Sequence, residues 1–336
     1  MVEALADSFD PARVETYEAV MSEWGLRRAA GLPRIPERVE SVYVLSRVTL
    51  GADIKIVSIV LDAMKRRFPQ ARIVFAANRK SAELFEADNR LAVLEVNYPR
   101  TGAVSERIAF GQALRSKLRG ERRIVIDPDS RMTQLGLVPV CEPENYFHFP
   151  SRSFGGTSLD NLSELTNRWL EEKFGLRGNA YVAPKPVAID CARPAAAVSL
   201  GVGENETKRI GGDFEAKLIA ALTERYRTVW LDRGAGGEEA RRVTAAVAGR
   251  RVRFWEGSFA GFVSVVAQSD FYVGYDSAGQ HAAAAAGVPL VSIFAGAVSD
   301  VFRARWAPHG AGIQTVLNAD ILTPAEILGD RHLKPG

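Results

Sequence analysis

Residues 269–296, SDFYVGYDSAGQHAAAAAGVPLVSIFAG, decide the fold. Phe271, Tyr272 and Val273 suit a buried strand, and the small side chains from Ala278 to Ala286 suit a helix packed closely on it. Gly287 can stop that helix, and Pro289 opens a second apolar run from Leu290 to Phe294. Strand, helix and strand in this order make a β-α-β unit with a parallel crossover. In such a unit the chain leaves a strand and enters a helix N-terminus, where backbone N–H groups and the positive dipole end favour an anion. The turn there carries Asp276 and Ser277, with His281 further along the helix. Asp and Ser are also ordinary helix caps, so anion binding and capping both stay open.

The same alternation runs through the chain. Strands are expected over 42–45, 72–76, 91–96 and 122–126, with a helix after Gly51 whose apolar positions Val57, Val60, Leu61, Met64 and Phe68 keep the 3.6 period. Short helical stretches are expected over 81–85 and 105–118. A second series follows the Pro-containing stretch 182–194, which reads as a linker: strands over 196–200, 228–231 and 251–255, and helices over 214–226, 238–248 and 259–267. Strands alternating with helices at this interval predict two doubly wound, Rossmann-like parallel sheets. We expect residues 1–38 as an N-terminal helical extension, with Val14, Tyr17, Val20, Met21 and Trp24 on one face, 39–185 as the first domain and 195–325 as the second.

Composition narrows the function. A length of 336 residues is enough for two cored domains, and 47% hydrophobic with 25% charged residues is ordinary for a globular protein. A formal charge of +3 lacks the concentrated basic surface of a nucleic-acid binder, so nucleic acid is not an expected partner. Cys141 and Cys191 form no CxxC pair, and His148, His281, His309 and His332 stand apart, so no thiolate or histidine metal site is expected. No apolar run is long enough to span a membrane and the start lacks a signal-peptide core, so we expect a cytoplasmic protein that neither spans a membrane nor is secreted.

Four segments resemble glycosyltransferase family 9, the heptosyltransferase-like enzymes of bacterial cell-surface glycan assembly. The family pattern D-[ST]-G-x-x-H-x-x-A-A followed by G-x-P is matched by Asp276, Ser277, His281, Ala284, Ala285, Gly287 and Pro289; Ala278 stands where the family has glycine, and Gly279 comes one residue late. LSRVTLGADIKIVSIVLDAMKRRFP is similar to the family's strand, G-D pair and helix, with Ala52 inserted between Gly51 and Asp53. IVIDPDSRMTQLG shares Asp127 and the basic Arg131 with a third family segment. Lys208, after VSLGVGENE, resembles the family's K-x-W-P lysine, although Ile210 and Gly211 replace the Trp and Pro.

The resemblance implies a GT-B fold, two Rossmann-like α/β domains facing a central cleft. It implies an inverting, metal-independent transfer of a sugar, a heptose in the family, from a nucleotide diphosphate donor, ADP-linked, to a hydroxyl on a glycan, lipid-linked or other acceptor, as in lipopolysaccharide biosynthesis. No cofactor is implied beyond that donor. Such transfer needs a base for the acceptor proton and positive groups for the departing diphosphate. The resemblance assigns the base to Asp53 and the diphosphate to Lys208 and the turn of Asp276, Ser277, Ala278, Gly279 and His281, with Lys55, Asp127 and Arg131 on the acceptor side. Gly201 and Gly203 would permit close approach of backbone to an anion, and the loop 233–238 is a candidate for holding the nucleotide.

Each residue also has a structural reading. Asp53 suits a cap for a helix starting at Ile54, Lys208 a solvated loop lysine, Lys55 and Arg47 surface charges, and His281 a buried histidine. A noncatalytic sugar-nucleotide or glycan binding protein is the alternative function, motivated by Ala52 and by the shifted glycine. A nicotinamide-dependent oxidoreductase is disfavoured because no G-x-G-x-x-G follows a strand.

Overall fold

The computed structural model describes residues 11–26, 32–203, 205–234, 236–247, 249–297 and 299–333. The parts of the expected N-terminal extension at 1–10 and 27–31 lie outside the described residues, as do Glu204 and Ala235 of two glycine-bearing loops. Contacts divide the chain into two units, Met1–Ala180 and Tyr181–Gly336, so the N-terminal helix belongs with the first.

The first unit is a parallel sheet of β1 (Ser41–Leu45), β2 (Arg72–Ala77), β3 (Leu91–Glu95), β4 (Arg123–Asp127) and β5 (Tyr146–His148) in the order β3-β2-β1-β4-β5. The central strands are continuous apolar runs because helices cover both faces of a doubly wound sheet, and Val42, Val44, Ile73, Phe75, Ile124 and Ile126 have no exposed surface. The long helical stretch after β1 runs as Leu50–Ala52, a π turn at Asp53–Val57, then Ser58–Arg67. A π turn carries one more residue than the α-helix it interrupts, enough to accommodate one extra residue such as the one expected at Ala52. The helix Leu162–Phe174 packs on Ser58–Arg67.

The second unit holds β6 (Ala195–Ser199), β7 (Thr228–Asp232), β8 (Arg253–Trp255), β9 (Phe271–Tyr275), β10 (Leu290–Phe294) and β11 (Gln314–Asn318), all parallel, in the order β11-β10-β9-β6-β7-β8. Its alanine helix, Ala278–Ala285, is thin enough for Ala283 and Ala284 to join a core with Trp230, Phe262, Val265 and Tyr272. Gly287 ends it at φ +72°. The returning chain then crosses so closely that a Cβ at Gly310 would stand 1.9 Å from the Ala284 carbonyl oxygen.

The N-terminal helix, Pro11–Glu23, departs from expectation. Met21 is buried with Leu135 and Leu137, but Val20 and Trp24 are exposed, so among the described side chains of the expected apolar face only Met21 is buried. The side chains of Val14 and Tyr17 lie outside the described residues. Among the described residues no helix is long and apolar enough to cross a membrane.

The crossing at Gly310 makes a prediction. Gly310→Ala is expected to cost about 3 kcal/mol by forcing apart two backbone segments in close contact, whereas Gly211→Ala, with nothing within 4 Å of the new methyl, stays within about 0.5 kcal/mol of wild type. Urea denaturation of the two variants checks this, and equal stabilities would refute the close packing.

Candidate functional site

In an open α/β sheet ligands bind beyond the carboxyl ends of the strands, where the strand order reverses. The first unit reverses between β1 and β4, the second between β6 and β9. Every described residue other than glycine with positive φ lies in the loops after β1 and β4: Val48 at +71°, Asp129 at +66°, Gln134 at +51° and Leu135 at +61°. Backbone strain of this kind collects where a chain is held for function, and each residue costs on the order of 1–3 kcal/mol.

Asp53 sits at this reversal with no exposed surface. Its Oδ2 accepts from the Ser46 hydroxyl at 2.7 Å and its Oδ1 from the Arg47 backbone N–H at 2.7 Å. The Ser81 hydroxyl points toward the carboxylate without closing a hydrogen bond of good geometry. Burial pushes the Asp53 carboxyl up to about 6, against the hydrogen bonds and the Arg47 charge, which favour the ionised form. The capping reading is corrected: Thr49 holds the N-cap position, and Asp53 lies inside the helical stretch with φ −65° and ψ −36°.

The surface reading of Lys55 and Arg47 is also corrected, because both are buried. Lys55 donates to the Asn161 side-chain oxygen at 2.7 Å. The Arg47 charge acts on Asp53 and on Asp129. Asp127 is fully buried and is consumed by its own loop, accepting from Ser130 N–H at 2.6 Å, Tyr146 hydroxyl at 2.5 Å and the Thr133 hydroxyl. Arg131, in the following turn, is buried too. Ser46, Asp129 and Ser130 were not singled out from sequence. Ser130 donates to the Ser46 carbonyl at 2.5 Å and so ties the β4 loop to the β1 loop. Asp129 meets His148 Nε2 at 3.2 Å and Arg152 N–H at 3.0 Å; burial alone would raise its pKa, but His148 and Arg152 hold it well below the usual carboxylate range.

At the second reversal the structure brings together Lys208 and Asp276, which lie in separate sequence segments. Lys208 Nζ donates to Asp276 Oδ2 at 2.6 Å and to the Asp276 carbonyl at 3.2 Å, and stands 5.6 Å from the centre of the Phe302 ring. It is therefore not a solvated loop lysine. Gln280, one helical turn beyond Asp276, donates to its Oδ1 at 2.5 Å and accepts from the Ser292 hydroxyl. Ser277 occupies the N-cap position of Ala278–Ala285 without a side-chain cap bond, and Asp276 is held by Lys208 and Gln280, so neither serves as the side-chain cap allowed above. His281 is buried, its ring 5.8 Å from that of Trp306.

The shifted glycine has a packing cause. A Cβ at Gly279 would stand 2.1 Å from the Tyr272 hydroxyl, which fills the space under the first helical turn. A Cβ at Gly201 would meet only the end of the Glu239 side chain, at 2.7 Å from Oε1. Beyond β7, burial pushes Asp232 up to about 6, and the Glu239 charge adds to the rise. Among the described residues no group of three or more His, Cys, Asp or Glu is placed to hold a metal ion.

No protein-family model and no curated protein sequence matches the chain. Solved structures do. The E. coli heptosyltransferase WaaC with ADP superposes with a TM-score of 0.61 at 17% identity, covering 86% of this chain and 98% of that one. A family 9 glycosyltransferase from Veillonella parvula DSM 2008 gives 0.61 at 14% identity, over 89% and 90% of the two chains. The E. coli ADP-heptose lps heptosyltransferase II gives 0.57 at 17% identity, over 86% and 96%. The chain has the heptosyltransferase fold. Its two parallel sheets with interleaved helices are the GT-B architecture that the four segments led us to expect.

Two predictions follow from the geometry of these reversals. Gly279→Ala is expected to cost about 2 kcal/mol by overpacking, with Tyr272→Phe restoring much of the loss in the double variant; a loss that Tyr272→Phe leaves untouched refutes the packing account. For Asp53 the folded pKa lies above the unfolded one, so stability is highest below about pH 4 and falls as pH rises toward 6. Relative to Asp53→Asn, wild type should therefore lose about 2 kcal/mol between pH 4 and pH 7, measured by denaturant unfolding at both pH values; a constant difference refutes it.

Proposed function

We propose that the chain is a glycosyltransferase that moves a sugar from a nucleoside diphosphate donor to a hydroxyl acceptor, with inversion at the anomeric carbon and without a metal. The observation that carries this reading is the Lys208–Asp276 pair beside the start of Ala278–Ala285 at the β6/β9 reversal. An ammonium fixed next to a helix N-terminus suits a diphosphate, whose negative charge grows as the sugar leaves. The ADP and ADP-sugar complexes of the E. coli heptosyltransferase of the same fold support an ADP-linked heptose as the donor.

Asp53 is the base in this reading. The acceptor O–H proton passes to the carboxylate as the acceptor oxygen bonds to the anomeric carbon, and the bond from that carbon to the diphosphate breaks with its electron pair leaving on phosphate oxygen. A proton affinity near 6 suits a base that is ionised at neutral pH yet able to hold a proton. Lys55 and Arg131 are assigned to the acceptor side; Asp127, spent on its own loop, is given the task of shaping it. The reading places the enzyme in the cytoplasm, with a glycan or lipid-linked hydroxyl as acceptor and no more than peripheral contact with a membrane.

The noncatalytic alternative draws on one feature, the complete burial of Asp53 with a donor on each oxygen. The two readings separate cleanly. With ADP-heptose and a lipid-linked core acceptor in the presence of EDTA, wild type should transfer sugar, Asp53→Asn should lose about 10²-fold or more in kcat while still binding ADP, and Lys208→Ala should weaken ADP binding at least about tenfold. Binding of ADP-sugars with no transfer to any hydroxyl acceptor favours the noncatalytic protein, and failure to bind any sugar nucleotide removes both.

A further inference from the structure

The two oxygens of Asp53 are held in different ways. The donor on Oδ1 is the Arg47 backbone N–H, which cannot leave without unmaking the loop. The donor on Oδ2 is the Ser46 hydroxyl, which leaves by rotation about one side-chain bond. That hydroxyl also accepts from the Val48 N–H at 2.8 Å, and so closes the turn in which Val48, a β-branched residue, sits at φ +71°. Left-handed backbone is rarely adopted by such a residue, so the turn is held by its hydrogen bonds against local preference. The Ser46 carbonyl is anchored separately, by Ser130, which lets the side chain turn while the backbone stays in place. The other groups that face the carboxylate are the Arg47 guanidinium and the Ser81 hydroxyl.

We propose that Ser46 is a positioning residue whose hydroxyl stands in for the acceptor hydroxyl, donating to Asp53 Oδ2 in the resting protein and giving way to the acceptor before transfer. The inference rests on the glycosyltransferase reading with Asp53 as base. The exchange replaces one O–H donor by another on the same oxygen, so no bond is made or broken in it. It explains how a carboxylate without exposed surface serves as a base: the buried oxygen is kept ionised, oriented and shielded from water by a hydroxyl of the same chemistry as the substrate's.

The test compares pH profiles. The acid limb of kcat/KM for acceptor reports Asp53 in the free protein, whereas that of kcat reports it in the substrate complex. Ser46→Ala removes a donor to the anion and should move the kcat/KM limb up by about one pH unit, leave the kcat limb in place, and be corrected by Ser46→Thr. Both limbs moving together would mean that Ser46 stays on Asp53 during turnover, and neither moving would mean that it is no partner at all; either overturns the exchange. A second variant guards against misfolding: Val48→Asn, which tolerates positive φ, relaxes the resting turn and should lower acceptor kcat/KM several-fold with ADP affinity unchanged, and a rise would count against the exchange. A wild type that transfers nothing overturns the glycosyltransferase reading and the exchange with it, while an active wild type with unmoved limbs overturns the exchange alone.

Discussion

A carboxylate with no exposed surface must be supplied with hydrogen bonds by its own chain, and the first unit is arranged around that demand at Asp53. Desolvating an ionised carboxyl without partners is prohibitive. The loop after β1 meets the demand by bending back, so that the hydroxyl of Ser46 and the N–H of Arg47 both reach it. The bend forces Val48 into a left-handed conformation and passes the Ser46 carbonyl to Ser130 on the neighbouring loop. Asp127 then fixes that second loop from below through Ser130, Thr133 and Tyr146. Removing the carboxylate at 53 would leave the strained turn to the Val48 N–H bond on the Ser46 hydroxyl and the Ser130 bond on the Ser46 carbonyl.

The π turn at Asp53–Val57 belongs to the same arrangement. An inserted residue in a helix either rotates everything after it or is absorbed locally. Here Ile54, Ile56 and Val57 within the wide turn and Val60 and Leu61 after it are all buried, so the apolar face is kept through the turn. The break in the family's G-D pair is thus compatible with an aspartate delivered to the end of β1.

Much of this was legible in the sequence, for physical reasons that differ by element. Buried parallel strands such as 42–45 and 290–294 are continuous apolar runs, and helices such as Phe259–Ala267 carry a clear 3.6 period; both were placed nearly residue by residue. The three-residue β5 and the helices Asp300–Trp306 and Pro324–Leu328 are too short for periodicity to speak. Leu162–Phe174 is another matter: its Asn161 cap and the spacing of Leu162, Leu165, Trp169 and Leu170 were readable and went unread. Within the sites, Asp53 and Lys208 came from a resemblance and Asp276 from the strand-to-helix turn, whereas Ser46 and Gln280 beside them came from neither. Ser46 sits directly after a strand, as many serines do, and only its distance to Asp53 gives it meaning. Gln280 carried a usable signal in its helical spacing from Asp276. Gly279 looked like a displaced phosphate glycine because nothing in a linear sequence shows Tyr272 bending beneath it.

The two strand reversals use the same residue type to opposite ends. Asp276 meets a full cation at 2.6 Å, and Gln280 and Ser292 extend that pair into the sheet. Such an aspartate serves to hold a charge in one place, which is what a diphosphate site requires of its lysine. Asp53 meets two neutral donors, the Ser46 hydroxyl and the Arg47 backbone N–H, with the Arg47 guanidinium adding its field. Neutral donors orient a carboxylate while stabilising its negative charge less than an ion pair would, so burial prevails and the proton affinity climbs toward neutrality. In the proposed reading, a fixed cation at one reversal and a proton acceptor at the other meet the two demands of glycosyl transfer from a diphosphate. The assignment therefore rests less on either residue than on the contrast between the ways in which they are held.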